Sequence, residues 1–460
     1  KPQNSNIFER KEELIMAMGG GTFTVQNKVL PGAYINFVST GSTAAMGARG
    51  VAALPLELSW GPESQVWSME AGDFSGQALA VLGYDPTAPE LLLVREAMKR
   101  AKKLLLYRVN SGGVKASATV GGLTVTAKYG GTRGNALWAA VLPNADDGNQ
   151  VDVVTYLEET EVDRQTVAKD GGAANLTAND YVIFDSPATL TAAAAANLTG
   201  GTDGEVTGGA YAAWLKALEV EQFQVLGYPG TDSAVKALVA AFVKRLREDE
   251  GKKVTGVLYQ YPGADHMGVI SVKNGVVLAD GTTVTGDQAV AWVTGASTAA
   301  EVSQSLTNTA YDGAVDVNVK YTKSQYEAAI QAGEFVFYAD GNKARVLADL
   351  NTLTTFGAGV SNDWTSNRVV RVMDGWANDV AGIFGARYLG AQTNNDTGRG
   401  LFLADLVALG KEYERVGAVH DFLPEDITVR QGSGKRDVAV DCALKPNDSM
   451  EKLYMTVNVN

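Results

Sequence analysis

Residues 436–460 read Arg436-Asp-Val-Ala-Val-Asp-Cys-Ala-Leu-Lys445, then Pro446-Asn-Asp-Ser449, then Met450-Glu-Lys-Leu-Tyr-Met-Thr-Val-Asn-Val-Asn460. In the first run Val438, Val440, Cys442 and Leu444 share one parity, opposite Asp437, Asp441 and Lys445. In the second, Leu453, Met455, Val457 and Val459 alternate with Lys452, Tyr454, Thr456 and Asn458. A period of two sets alternate side chains on opposite faces of a strand, and Pro446 to Ser449 is turn chemistry. The stretch therefore predicts two strands, the second running to its last residue. Chain ends fray unless something ties them down. Two readings fit: an edge strand of the protein's own sheet, or an arm that adds a strand to a neighbouring subunit. Pattern alone leaves both open.

Upstream, Thr365 to Tyr388 predicts a helix, with Val369, Val372, Met373, Trp376, Val380, Ile383 and Phe384 at helical spacing. A polar loop follows, and Leu401 to Val416 predicts a second helix. These elements make 351–460 one block. Residues 200–350 alternate helix and strand: Tyr211 to Val220 and Ser233 to Asp249 read as helices, Gln222 to Leu226 and Val254 to Gln260 as strands. Gly286 to Thr294 and Ser324 to Gln331 read as helices, with strands at Glu334 to Tyr338 and Ala344 to Leu347. This is the pattern of an α/β domain with a mostly parallel sheet.

Residues 111–199 differ in texture. Short strands at Ala116 to Val120, Leu123 to Lys128, Ala136 to Leu142, Val151 to Leu157 and Tyr181 to Phe184 are parted by Gly, Asn and Asp turns. They predict an inserted β-sandwich. Residues 31–110 return to α/β, with strands at Tyr34 to Val38, Gly50 to Leu58 and Leu104 to Val109 and a helix from Pro89 to Lys103. The last of these strands is apolar enough to be covered on both faces. Residues 1–30 are a linker: a polar leader, a Gly19 to Gly21 hinge, and a short strand of Thr22, Phe23, Thr24, Val25 and Gln26. That strand reads either as part of a disordered leader or as an arm.

Composition bounds the function. The 460 residues carry a net charge of −13, are 45% hydrophobic and 20% charged, and fill two to four soluble domains. Acidity argues against a nucleic-acid surface, which needs clustered cations. No apolar run approaches the ~20 residues of a membrane span, and Lys1-Pro-Gln-Asn-Ser-Asn6 lacks the pattern of a signal peptide. The single cysteine, Cys442, excludes an internal disulfide; on the apolar parity of a strand it reads as a small buried hydrophobe. Only His266 and His420 are present, in different blocks, so no metal-binding pair at helical spacing exists. His266 is predicted to be exposed or hydrogen-bonded. Gly130-Gly-Thr-Arg-Gly134 lacks the lysine of a phosphate loop. No catalytic residue, cofactor or metal is predicted.

Four segments carry a resemblance. Leu444 to Val457, Asn367 to Val380, Tyr129 to Leu137 and Gly200 to Gly204 are similar to segments that contractile-tail sheath proteins of tailed phages and phage-tail-like bacteriocins place in the same order. The fold the resemblance implies is a mixed α/β sheath core built from N- and C-terminal parts, with an inserted β-sandwich and terminal β-strand arms. It implies six-fold rings stacked helically around a tail tube. It implies as partners other copies of the chain, the tube protein, and baseplate and tail terminator proteins, with no nucleic acid and no membrane insertion. The particle would be put together in the host cytoplasm. Contraction would relax a metastable lattice. The arms would be Thr22 to Gln26, Val438 to Leu444 and Leu453 to Val459. In that family the last domain lines the lumen, which nominates Lys411 and Arg415 as tube-facing; a solvated helix face, or pairing with Glu412 and Glu414, fits them equally. Two other readings stay open: a nucleotide- or sugar-binding α/β enzyme, which nucleotides would stabilise against heat, and a β-sandwich adhesin, which would stay monomeric when concentrated.

Overall fold

The computed structural model describes residues 19–21, 32–34, 46–47, 49–185, 189–357 and 359–459, and the chain divides into two units, Lys1–Ala45 and Met46–Asn460. In the first unit Gly19–Gly21 pairs parallel with Gly32–Tyr34. The glycines predicted to be a hinge thus lie in a ladder, where their backbone groups find partners. The predicted strand Thr22 to Gln26 lies outside the described residues.

The second unit is built on a seven-stranded sheet ordered Glu334–Phe335, Val269–Val272, Thr255–Tyr259, Val225–Tyr228, Val51–Leu56, Lys103–Arg108 and Val66–Glu70. Each neighbouring pair is parallel except the last. Its strands come from both sides of the predicted insertion, so the two α/β stretches are one domain. Both faces are covered, as parallel sheets require. Leu104 and Leu106 join Leu54 and Ala97 on one face, while Leu105 and Tyr107 join Trp214 and Leu226 on the other. Gly286–Ala299 lies buried across the sheet and passes Leu92–Met98 so closely that a Cβ on Gly295 would sit 2.2 Å from the Ala97 carbonyl oxygen. The helix predicted from Pro89 to Lys103 is shorter: it is a turn at Pro89–Leu91, a helix at Leu92–Met98, and Lys103 already belongs to the strand.

The β-sandwich packs a sheet ordered Thr160–Ala168, Gln150–Leu157, Leu137–Pro143 and Ala193–Asn197 on one ordered Val182–Asp185, Leu123–Ala127 and Ser117–Val120. Val125, Leu137, Val141, Val151, Val153 and Tyr181 fill the space between them. The chain enters and leaves side by side, Asn110–Ser111 pairing with Glu205–Val206. Arg108, only 1% exposed, bridges the joint, donating to the carbonyls of Gly61 at 3.0 Å and Gly130 at 2.9 Å. Gly131 has φ +141°, and a Cβ there would meet the Ser59 carbonyl oxygen at 2.0 Å.

The last block starts with helix α1, Asn367–Ile383, capped by the Ser366 hydroxyl, and continues as a π-helical turn at Phe384–Tyr388. Helix α2, Asp396–Arg415, starts five residues before the predicted Leu401 because Asn395 caps it, its side chain accepting from the Gly398 amide. A hairpin follows, strand β1 at Ile427–Gln431 antiparallel to strand β2 at Val438–Cys442. Helix α1 is tied to the α/β domain by buried polar pairs: Arg247 with Asp374, and Asp349 with both Arg371 and Asn367.

Candidate functional site

The hairpin is a sheet that stops early. Among the described residues no further strand joins β1 or β2. Cross-strand pairs set Ile427 opposite Cys442, Val429 opposite Val440 and Gln431 opposite Val438, so these six side chains share a face. Ile427 is buried where α2 packs against β1. On β2 the same face is open: Val440 is 37% exposed and Cys442 is exposed. Cys442 is therefore not the buried hydrophobe that parity predicted; its strand has the apolar face without a layer to cover it. Desolvation of its sulfur, then Asp426's charge, still pushes the thiol up to about 11. Val438, Val440 and Cys442, nominated as an arm, are thus one side of an in-chain hairpin, and Leu444 lies just beyond it.

After the hairpin the chain is pinned along residues 445–451. Lys445 accepts from the His420 amide at 3.1 Å. Asn447 binds the carbonyls of Gly417 and Val419 through its side chain and that of Ala418 through its amide. Ser449 accepts from Arg368 at 2.9 Å, and Glu451 from the Thr307 hydroxyl at 2.7 Å. From Lys452 to Asn458 no ladder bond is made. Leu453, Tyr454, Met455, Val457 and Val459 are 86%, 88%, 74%, 69% and 92% exposed; Thr456 is exposed too. The alternation read from sequence is thus not an edge strand of the chain's own sheet. Leu453, Met455, Val457 and Val459 thus form an apolar row of one parity that nothing covers among the described residues.

Beside the hairpin, Phe384, Tyr388 and Phe402 form an aromatic cluster, Tyr388 and Phe402 with centroids 4.7 Å apart. They line a cavity of about 370 Å³ with Leu389, Arg436 and Val438. Tyr388 donates to Asp405 at 2.7 Å, which fixes its ring. Sequence reasoning missed this cluster because its members sit on a π-helical turn and on α2, which no single period links.

The other nominated residues are accounted for. Arg415 is held by Glu412 through two hydrogen bonds, at 2.7 and 2.5 Å, while Lys411 is exposed on the same helix. His266 accepts from the Gly268 amide at 3.0 Å and lies 3.2 Å from Glu248; burial, then Arg247's charge, lowers its pKa. His420 is exposed. Among the described residues no three His, Cys, Asp or Glu are placed to hold a metal, and no helix is long and apolar enough to cross a membrane.

Four sequence families match in succession: "Tail sheath protein Gp18 domain III N-terminal region" over 49–109, "Phage tail sheath protein beta-sandwich domain" over 111–203, "Phage tail sheath protein central domain" over 204–352, and "Phage tail sheath C-terminal domain" over 360–460. The crystal structure of a sheath tail protein from Desulfitobacterium hafniense is 46% identical, with a TM-score of 0.82, over 92% of this chain and 99% of that one. The phage-like element PBSX protein XkdK of Bacillus subtilis is 38% identical over 96% of this chain and all of its own length. At 15% identity and a TM-score of 0.55, the helical sheath of the anti-feeding prophage in its contracted state shares the fold over 94% of this chain and 100% of its own. These relatives are structural proteins and not enzymes. With four consecutive sheath domains and a full-length relative at 46% identity, the chain belongs to the phage tail sheath protein family.

Proposed function

We propose that the chain polymerises as stacked six-fold rings around a tail tube, and that the polymer contracts to drive the tube through a target envelope. One observation carries the reading: one chain holds both a sheet that stops a strand short and a segment, 452–459, with strand alternation and no partner among the described residues. Met450 to Val459 of one copy adds beside β2 of another, so each copy both gives and receives. Such a contact is heterologous and propagates instead of closing. Burying Leu453, Met455, Val457 and Val459 contributes about 1.5–3 kcal/mol each, enough to oppose the repulsion of bodies with net charge −13. Relatives whose structures are described as six-fold symmetrised or as a contracted helical sheath support the ring and the contraction.

The domains would be a linker and arm (1–30), an α/β core in two parts (31–110 and 200–350), a peripheral β-sandwich (111–199), and a last domain (351–460). Thr22 to Gln26 would be a second arm, and Lys411 with Arg415 would face the tube. Baseplate and terminator proteins would cap the polymer, which is assembled in the host cytoplasm.

Negative-stain microscopy of the concentrated chain, beside one truncated after Ser449, tests this. Tubes or rings lost on truncation support it. Discrete monomers from the full chain, even when co-expressed with a tube protein, would sink it.

A further inference from the structure

The aromatic cavity beside the hairpin is lined by a helix end, a π-helical turn and the first residue of β2. Beside it the hairpin sheet ends at β2 among the described residues. A strand added to that edge continues the same pleat, so its alternate side chains fall on the face that Val438, Val440 and Cys442 occupy. That face looks toward α2, as the burial of Ile427 against α2 shows.

We infer that this cavity is a side-chain pocket, and that its occupant is the aliphatic parity of Leu453, Met455, Val457 and Val459 from a second copy of the chain. The inference rests on the strand-addition reading above and specifies what that strand is recognised by. The pocket does not select a sequence through main-chain bonds, which any extended segment supplies. It selects aliphatic residues at every second position. Leu389, 69% exposed on its rim, is an apolar residue with no task in the isolated chain. Lys435 and Arg436, which also line it, disfavour a further cation, so Lys452 falls outside. The chain's own segment leaves from another groove, lined by Thr307, Phe356, Ser366 and Asp448, which shares no residue with this one.

The test uses the sole cysteine, Cys442, on the receiving face. The full chain is mixed with peptides of residues 450–460, each with cysteine at one position and activated as a mixed disulfide; adducts are read by mass spectrometry. Cross-strand disulfides form between side chains on one face. Adducts are therefore expected with cysteine at the one of 453, 455, 457 and 459 that the register sets opposite Cys442, and only background at 454, 456 and 458. Leu389→Asp is expected to abolish them with the melting temperature unchanged, because that side chain is exposed. No adducts, adducts without alternation, or indifference to Leu389→Asp would overturn the pocket. So would an internal disulfide in dilute full-length Val457→Cys chain, which would put the chain's own segment there. Loss of tube-protein capture by Leu389→Asp with peptide adducts intact would overturn it too, assigning the rim to the tube. Tubes in the microscope without alternation sink the pocket and spare the polymer; alternation without tubes does the reverse.

Discussion

Arg247 holds both carboxylate oxygens of Asp374, Nη1 to Oδ2 at 2.5 Å and Nη2 to Oδ1 at 2.8 Å. The two residues lie 127 apart in sequence, one on a helix of the α/β domain and one on α1. A bidentate guanidinium–carboxylate pair fixes orientation as well as distance. With the Asp349 pairs it makes α1 part of the α/β body.

Removing one partner leaves the other charge buried. Arg247 is 4% exposed, so Asp374→Ala is expected to cost about 3–5 kcal/mol. Arg247→Met together with Asp374→Leu is expected to recover most of that, since an apolar pair of similar volume is tolerated. Urea titrations of the single and double variants, followed by tryptophan fluorescence, check it. Equal loss in both would mean that the seam is held elsewhere.

Asp265 predicts an acid dependence. The Thr355 hydroxyl, then the Thr354 and Thr355 amides, bind its carboxylate and hold its pKa down at about 2, against about 3.9 for a free aspartate. A lowered folded pKa means the native state binds fewer protons, so the contribution is complete above about pH 4 and fades as pH falls towards 2. Asp265→Asn is expected to be less stable at neutral pH and to lack that component of the acid slope. Melting temperatures between pH 2 and 6 read both.

The pins on residues 445–451 predict where a protease enters. Thermolysin, which cuts before large apolar side chains, is expected to cut at Leu453, whose chain is unpaired, well before Leu444, whose neighbours are held: the Ala443 amide donates to the Asp426 carbonyl at 2.9 Å and the Lys445 carbonyl accepts from the His420 amide at 3.1 Å. Asn447→Ala removes two side-chain bonds to the 417–419 turn and is expected to open the Leu444 site. Timed digestion with mass spectrometry distinguishes the order; early cutting at Leu444 in the unaltered chain would mean the pins do not hold.

Periodicity read the body of this protein well where one period governed one element. Leu104 to Tyr107 read as covered on both faces, and two layers do cover them. The stripe on α1 lies against the core at Val369, Val372 and Trp376. It failed where the cause lay elsewhere. Gly398 and Gly400 hid the first turn of α2, although Asn395 was a readable cap; Gly398 is needed because a Cβ there would meet the Thr393 carbonyl oxygen at 2.1 Å. Strand β1 was legible in Ile427 and Val429 alternating with Thr428 and Arg430, and was missed. Cys442 shows the limit of parity: alternation names the apolar face but not whether anything covers it. For the terminal segment the alternation was legible and a partner was not: among the described residues the chain supplies no strand that pairs with it.

Cys442 reports on the edge of β2. The thiolate is the reactive form, and with its thiol pushed up to about 11 little of it exists at neutral pH. In the isolated chain, maleimide labelling is expected to be slow at pH 7 and to rise about tenfold per pH unit to beyond pH 9, where an ordinary thiol of pKa about 8.5 has levelled off. Covering of the sulfur is the larger cause and Asp426's charge the smaller. Asp426→Asn keeps an acceptor for the Leu423 amide and removes the charge, so it lowers the thiol pKa and speeds labelling at pH 8. If the polymer is held as proposed, the added strand and its side chains flank Cys442, so Cys442 is expected to resist the reagent at every pH. One cysteine per chain makes the labelled fraction a count of open edges. Equal labelling of chain and polymer would mean that β2 stays an edge after assembly and that the terminal segment binds elsewhere.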